Sequence, residues 1–166
     1  KLGIRSKSKY WKHEDLHLLN NYIALSLKYT QLFRDLAIEF YKSYYRGAKL
    51  DLFHEDCVIA MASMYANSNK LSWKSVQYAI NTMASNNLIE YHRIAEDGKV
   101  GSQTMEGLKM CKIACDSLDF VGLLFESFML LGMTAEYSKL VKANPDKYLR
   151  FSIGWDNRMK KLQGAM

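Results

Sequence analysis

Residues 72–106 read SWKSVQYAINTMASNNLIEYHRIAEDGKVGSQTME. In the first third of this stretch Trp73, Val76, Ile80 and Met83 recur at helical spacing, while Lys74, Gln77, Tyr78, Asn81 and Ser85 share the other side. Ser72 can accept from the free amides of a first turn, so the spacing predicts a helix from Trp73 to about Asn86 with Ser72 as its N-cap. Leu88 to Ile94 and Val100 to Gln103 are short and extended in character, and Asp97-Gly98 lies between them. Asp-Gly favours a tight turn because glycine takes the positive φ that the turn demands, so a two-stranded hairpin is expected here. A hairpin directly after a helix has the outline of a wing.

Upstream, Leu18, Tyr22, Leu25, Tyr29, Leu32, Leu36 and Phe40 recur at three and four with no proline or glycine between His13 and Tyr45. That keeps them on one helical face, with Arg46 and Gly47 expected to end the helix. Glu55 to Ala66 is a second helical pattern, broken by Asn67, Ser68 and Asn69. Downstream, Thr104 and Glu106 open a pattern from about Met105 to Leu131 carrying Cys111, Ala114, Leu118, Val121, Phe125 and Phe128. Gly132 is expected to end that helix, Thr134 to Ala143 to form another, and Asp146 to Met166 to be weakly helical or irregular.

The chain has 166 residues, 49% hydrophobic and 24% charged, with one proline and nine glycines. Such a composition suits a single globular domain and excludes disordered and collagen-like classes. The formal charge of +6 suggests a polyanionic partner. Lys1, Arg5, Lys7, Lys9 and Lys12 make residues 1–12 a basic arm. Three cysteines, an odd number with no CxxC pair, read as reduced thiols of a cytoplasmic protein. Leu118 to Met133 is apolar but interrupted by Asp119 and Glu126, and reads as a buried helix rather than a membrane span. A chain beginning at Lys1 reads as a trimmed or processed product.

Residues 70–110 resemble the DNA-binding half of the MarR family of winged-helix transcriptional regulators. Residues 72–83 are similar to that family's recognition helix. Asn87, Leu88, Ile89 and Glu90 are similar to its Gly-Leu-Ile-Glu, with Asn87 at the glycine position. Asp97, Gly98 and Lys99 are similar to its Asp-x-Arg at the wing tip, and Thr104 to Gly107 to the Leu-Thr-x-x-Gly that starts the next helix, with Gln103 at the leucine position. The resemblance implies a mainly α fold with a small β-hairpin wing, a winged helix-turn-helix flanked by long dimerisation helices. It divides the chain into the arm at 1–12, a long N-terminal dimerisation helix at 13–47, a winged-helix DNA-binding region at 48–104 and C-terminal dimerisation helices at 105–166. It further implies a homodimeric regulator, commonly a repressor, whose affinity responds to a small-molecule effector or to cysteine oxidation.

The residues themselves suit this chemistry. Gln77 and Asn81 can pair bidentately with adenine, and Lys74 can reach guanine or phosphate. Ser72, Ser75 and Tyr78 complete the face expected in the major groove of double-stranded DNA, with Arg93 and Lys99 on the wing beside the backbone. A plasmid or phage replication or partition factor could use the same wing, and a helical interaction module without DNA binding is the remaining alternative.

Enzymatic chemistry has little basis. His13 to His17 spell HEDLH, a literal zinc pattern, but only twelve mostly basic residues precede it, and Glu39 would lie about 33 Å further along the same helix. No metal or other cofactor is therefore expected. There is no Ser-His-Asp order, Walker loop or GxGxxG. Cys111 and Cys115, one turn apart, could form a thiol switch, yet buried cysteine is also ordinary core material.

Overall fold

The computed structural model describes Thr30 and residues 34–163, and every described element is helical. The chain divides into two units, Lys1–Tyr44 and Tyr45–Met166. In the first, the described residues belong to a helix (α1, described over 34–48) that exposes Leu36, Phe40 and Tyr41 and carries a Glu39–Lys42 ion pair at 2.9 Å. The basic arm, the HEDLH segment and most of the expected dimerisation helix lie outside the described residues.

The second unit continues from the end of α1 into a 3-10 turn at Leu50–Leu52, then α2 (Glu55–Asn67), α3 (Asn69–Ser85), α4 (Ser102–Ser117), α5 (Asp119–Ala143) and α6 (Pro145–Gln163). The left-handed residue after α1 is Lys49, at φ 53°, rather than Gly47. Gly47 stays helical where the Tyr65 side chain passes: a Cβ there would sit 3.1 Å from its Oη.

α3 begins one turn earlier than its apolar spacing suggests. Ser68 is the N-cap, accepting from the Leu71 N–H at 3.3 Å, whereas Ser72 lies inside the helix. Trp73, Val76, Ala79, Ile80 and Met83 are buried as expected. They meet α5, which packs against α2, α3, α4 and α6 and so forms the axis of the core. Phe125, Met129, Leu130 and Met133 of α5 are buried there, and the Trp73 and Phe53 rings lie 6.0 Å apart. Fully burying each large apolar side chain contributes roughly 1.5–3 kcal/mol.

The long helix expected from Met105 to Leu131 is instead two. Leu118, extended at φ −145°, breaks it and lets α4 and α5 turn their apolar sides toward a common core. Gly132 does not end α5. It is buried where α3 crosses, and a Cβ on it would lie 3.1 Å from the Ser75 Cα. This glycine admits a backbone rather than capping a helix. α5 runs on to Ala143, and Asn144 starts α6 by accepting from the Lys147 N–H at 3.1 Å, with Pro145 in the first helical position. Residues 145–163 are thus a regular helix rather than irregular chain. By length and composition Phe120–Ala143 could cross a membrane, but half of its apolar window is buried inside the protein.

The expected β-hairpin wing is absent: no strand occurs among the described residues, and the mainly α fold with a winged helix-turn-helix is corrected to an all-helical bundle. The segment between α3 and α4 is an ordered loop. It turns at Asn87, with φ 55°, and at Gly98, with φ 76°. Its backbone groups are held by side chains of α3 instead of by a second strand, as described below.

Two glycine substitutions test this packing. Gly132→Val should cost about 1–3 kcal/mol, because the added methyls press on the α3 backbone. Gly154→Ala, in α6 with open space around it, should stabilise by about 0.5–1 kcal/mol. Urea denaturation of both variants reads the two signs.

Candidate functional site

The polar side of α3 faces the protein, not solvent. Gln77 is 1% exposed and Asn81 5%. Gln77 Nε2 donates to the Lys99 carbonyl at 2.9 Å, to Asp97 Oδ1 at 3.2 Å and to Thr104 Oγ1 at 3.2 Å, while its Oε1 accepts from the Gly98 N–H at 2.7 Å. Asn81 Nδ2 donates to the Ile94 carbonyl at 2.9 Å and to Glu96 Oε1 at 2.8 Å, and its Oδ1 accepts from the Ile94 N–H at 2.8 Å. Two amides one turn apart therefore pair with the chain between Ile94 and Lys99 much as a neighbouring strand would. A buried amide needs such partners, and here the loop backbone supplies them. The Lys99 N–H, and then the Gln77 amide, hold the Asp97 carboxyl below its usual range.

This arrangement corrects the groove-facing set. Ser72 and Ser75 are buried, their hydroxyls donating to the Ser68 carbonyl at 2.9 Å and the Leu71 carbonyl at 2.9 Å within their own helix. Gln77 and Asn81 are spent on the loop. Lys74 is tied to Glu136 of α5 at 3.2 Å, and Glu136 also holds Lys139 at 2.6 Å. Burial acts to raise the Glu136 carboxyl, but the two lysines outweigh it and keep it low. Tyr78 is half-buried, near Gly132 of α5. Arg93 and Lys99 are exposed on the loop, without a wing to carry them. Gln77 and Asn81 are thus unavailable to a groove, because the loop already takes up their donors and acceptors.

A second cluster gathers at the start of α2. His54 caps that helix, its Nδ1 lying 3.4 Å from the Asp56 N–H and 3.2 Å from Asp56 Oδ2, and its Nε2 lying 3.8 Å from Asp116 Oδ1. Cys57, Cys111 and Cys115 are free and buried. Burial pushes the thiols of Cys57 and Cys111 far above the usual range, and that of Cys115 up to about 11, so none is a ready thiolate at neutral pH. Burial, and then the charge of Asp56, likewise push the Glu126 carboxyl up. Among the described residues no group of three His, Cys, Asp or Glu side chains is placed to hold a metal ion.

The third feature was not foreseen from the sequence. α6 lays Tyr148, Ser152, Trp155, Met159 and Leu162 toward α5, and Trp155 stacks on Tyr137 at 4.4 Å and 11°. Its opposite side presents Lys147, Arg150, Arg158 and Lys161, all exposed and none in an ion pair among the described residues. Positions i, i+3, i+11 and i+14 hold these cations on one face for about 21 Å at 1.5 Å per residue. The acid nearest in sequence to the row's C-terminal end, Asp156, is taken by Lys160 at 2.6 Å. The signal was present as a basic row on helical spacing, but it shows only once residues 145–163 are known to be one regular helix.

No protein-family model matches the chain, and neither a curated protein nor a solved structure does.

Two substitutions check the assignments above. Gln77→Ala strands the Gly98 N–H and should cost about 1–3 kcal/mol, read by chemical denaturation. Glu126 has a carboxyl pKa higher in the folded than in the unfolded chain, so its ionised form disfavours folding at neutral pH. Glu126→Gln should therefore raise the melting temperature at pH 7, and the gain should shrink as pH falls through the folded-state pKa and the native carboxyl takes up its proton.

Proposed function

We propose that this protein binds the phosphate backbone of double-stranded nucleic acid through the outer face of α6, without reading base sequence. The carrying observation is the row Lys147, Arg150, Arg158 and Lys161, exposed and, among the described residues, in no ion pair with a carboxylate. Duplex DNA carries one charge per about 1.7 Å of axis, so a row some 21 Å long lies against many phosphates at once. Affinity then comes from release of condensed counterions. Base readout would need a helix whose amides face a groove, and the amides of α3 are committed to the loop. The net charge of +6 acts in the same direction. The same proposal keeps the protein in the cytoplasm, the setting expected from its free thiols.

A second reading, a helical protein-interaction module, is favoured by the exposure of Leu149 and Ile153 on one flank of the same helix. The two separate on salt dependence. With four phosphates neutralised, log K against log salt should fall with a slope of about −3.6, and a dimer that binds as one unit through both copies of the face would double it. Fluorescence anisotropy with a labelled duplex measures the slope. Combined Lys147→Glu, Arg150→Glu, Arg158→Glu and Lys161→Glu should abolish binding, and Lys99→Glu should leave it intact. A slope near zero, or binding that survives the fourfold reversal, would overturn the nucleic-acid reading.

A further inference from the structure

We infer that the cleft between α5 and α6 is a binding site for a small amphipathic carboxylate, a medium-chain acyl chain with an anionic head. The cleft has a volume of about 330 Å³, at the small end of ligand-sized cavities, and is lined mainly by apolar atoms. Tyr137 and Val141 of α5 and Trp155 and Met159 of α6 form its walls; Ser138, Lys142, Ser152 and Asp156 also line it. It lies in the seam where α6 packs on α5, its main neighbour; Met159 is the one buried residue of α6 among those described.

The polar lining decides the charge of the ligand. Asp156 is neutralised by Lys160, while Lys142 has no ion pair or hydrogen bond among the described residues. The uncompensated charge on the cleft is therefore positive, and a carboxylate would meet it with a charge-assisted hydrogen bond. The walls decide the body. The Trp155 face is already stacked on Tyr137, and Phe151 and Tyr148 lie 6.0 and 6.1 Å from the same indole. With its aromatic faces occupied, the cleft offers aliphatic and ring-edge surface, and Met159 can adjust to a flexible chain. A linear acyl chain suits that space better than a ring that must stack.

Isothermal titration of the full chain with decanoate, kept below micelle formation, tests the site, with decanol as the uncharged control. Decanoate should show saturable binding of one molecule per chain. Lys142→Gln should weaken it about ten-fold or more, the loss expected for a charged hydrogen bond, while leaving decanol unaffected. Ser138→Phe should fill the cleft and abolish binding. Ser152→Leu is a second filler should the first fail to fold, which a thermal melt will report. Unsaturable uptake equal for decanoate and decanol, or Lys142→Gln affinity equal to that of the native protein, would overturn the assignment. Lys142 is not one of the four cations on the outer face of α6, so Lys142→Gln should leave duplex binding intact.

Discussion

Two buried carboxamides on α3 organise the part of the molecule that a sequence reader would most expect to be exposed. Gln77 and Asn81 satisfy the backbone of Ile94, Gly98 and Lys99, and this frees the segment from needing a partner strand. The loop in turn covers the helix, burying Ile89 and Ile94 against the core. Each half requires the other. An unpaired amide in the interior costs free energy comparable to a lost hydrogen bond, and an unpaired loop backbone costs the same. On its other side α3 is closed off by α5, where Gly132 allows the approach and Lys74 joins Glu136 across the seam.

This arrangement moves the search for function to the C-terminal helix. α3 is closed in between α5 and the loop, and its Gln77 and Asn81 are structural in the strict sense that their donors and acceptors are used. α6 lies at the margin, attached to α5 through Trp155, Tyr137 and Met159, with its cations turned outward. Because α6 packs mainly on α5, its outer face carries the exposed basic row and its seam with α5 holds the cleft. Basic face and apolar cleft are therefore the outer and inner sides of one helix.

Much of the helical character was legible. α2 ends where Asn67, Ser68 and Asn69 bring turn chemistry, the buried face of α3 follows from Trp73, Val76, Ile80 and Met83, and the apolar run after Leu118 is buried in α5 over Val121, Phe125, Met129, Leu130 and Met133 while Phe120, Leu123 and Leu131 stay exposed. What escaped was the identity of neighbours. Asp97-Gly98 does turn, with the positive φ that glycine supplies, yet the same dipeptide serves a loop pinned by side chains as well as a hairpin. Gly132 reads locally as a stop, and only the passing α3 backbone reveals it as a contact. The resemblance to a winged helix rested on just these ambiguous features.

Periodicity and composition thus decide that this chain is mainly helical and which face of a helix such as α3 leaves water, because those depend on spacing along one segment. They are silent on whether a polar residue faces solvent or a buried backbone, since an amide is satisfied equally by water and by a carbonyl. The tertiary structure alone made that choice for Gln77 and Asn81. Their partners lie 13 to 27 residues away in the chain, beyond the reach of any local pattern.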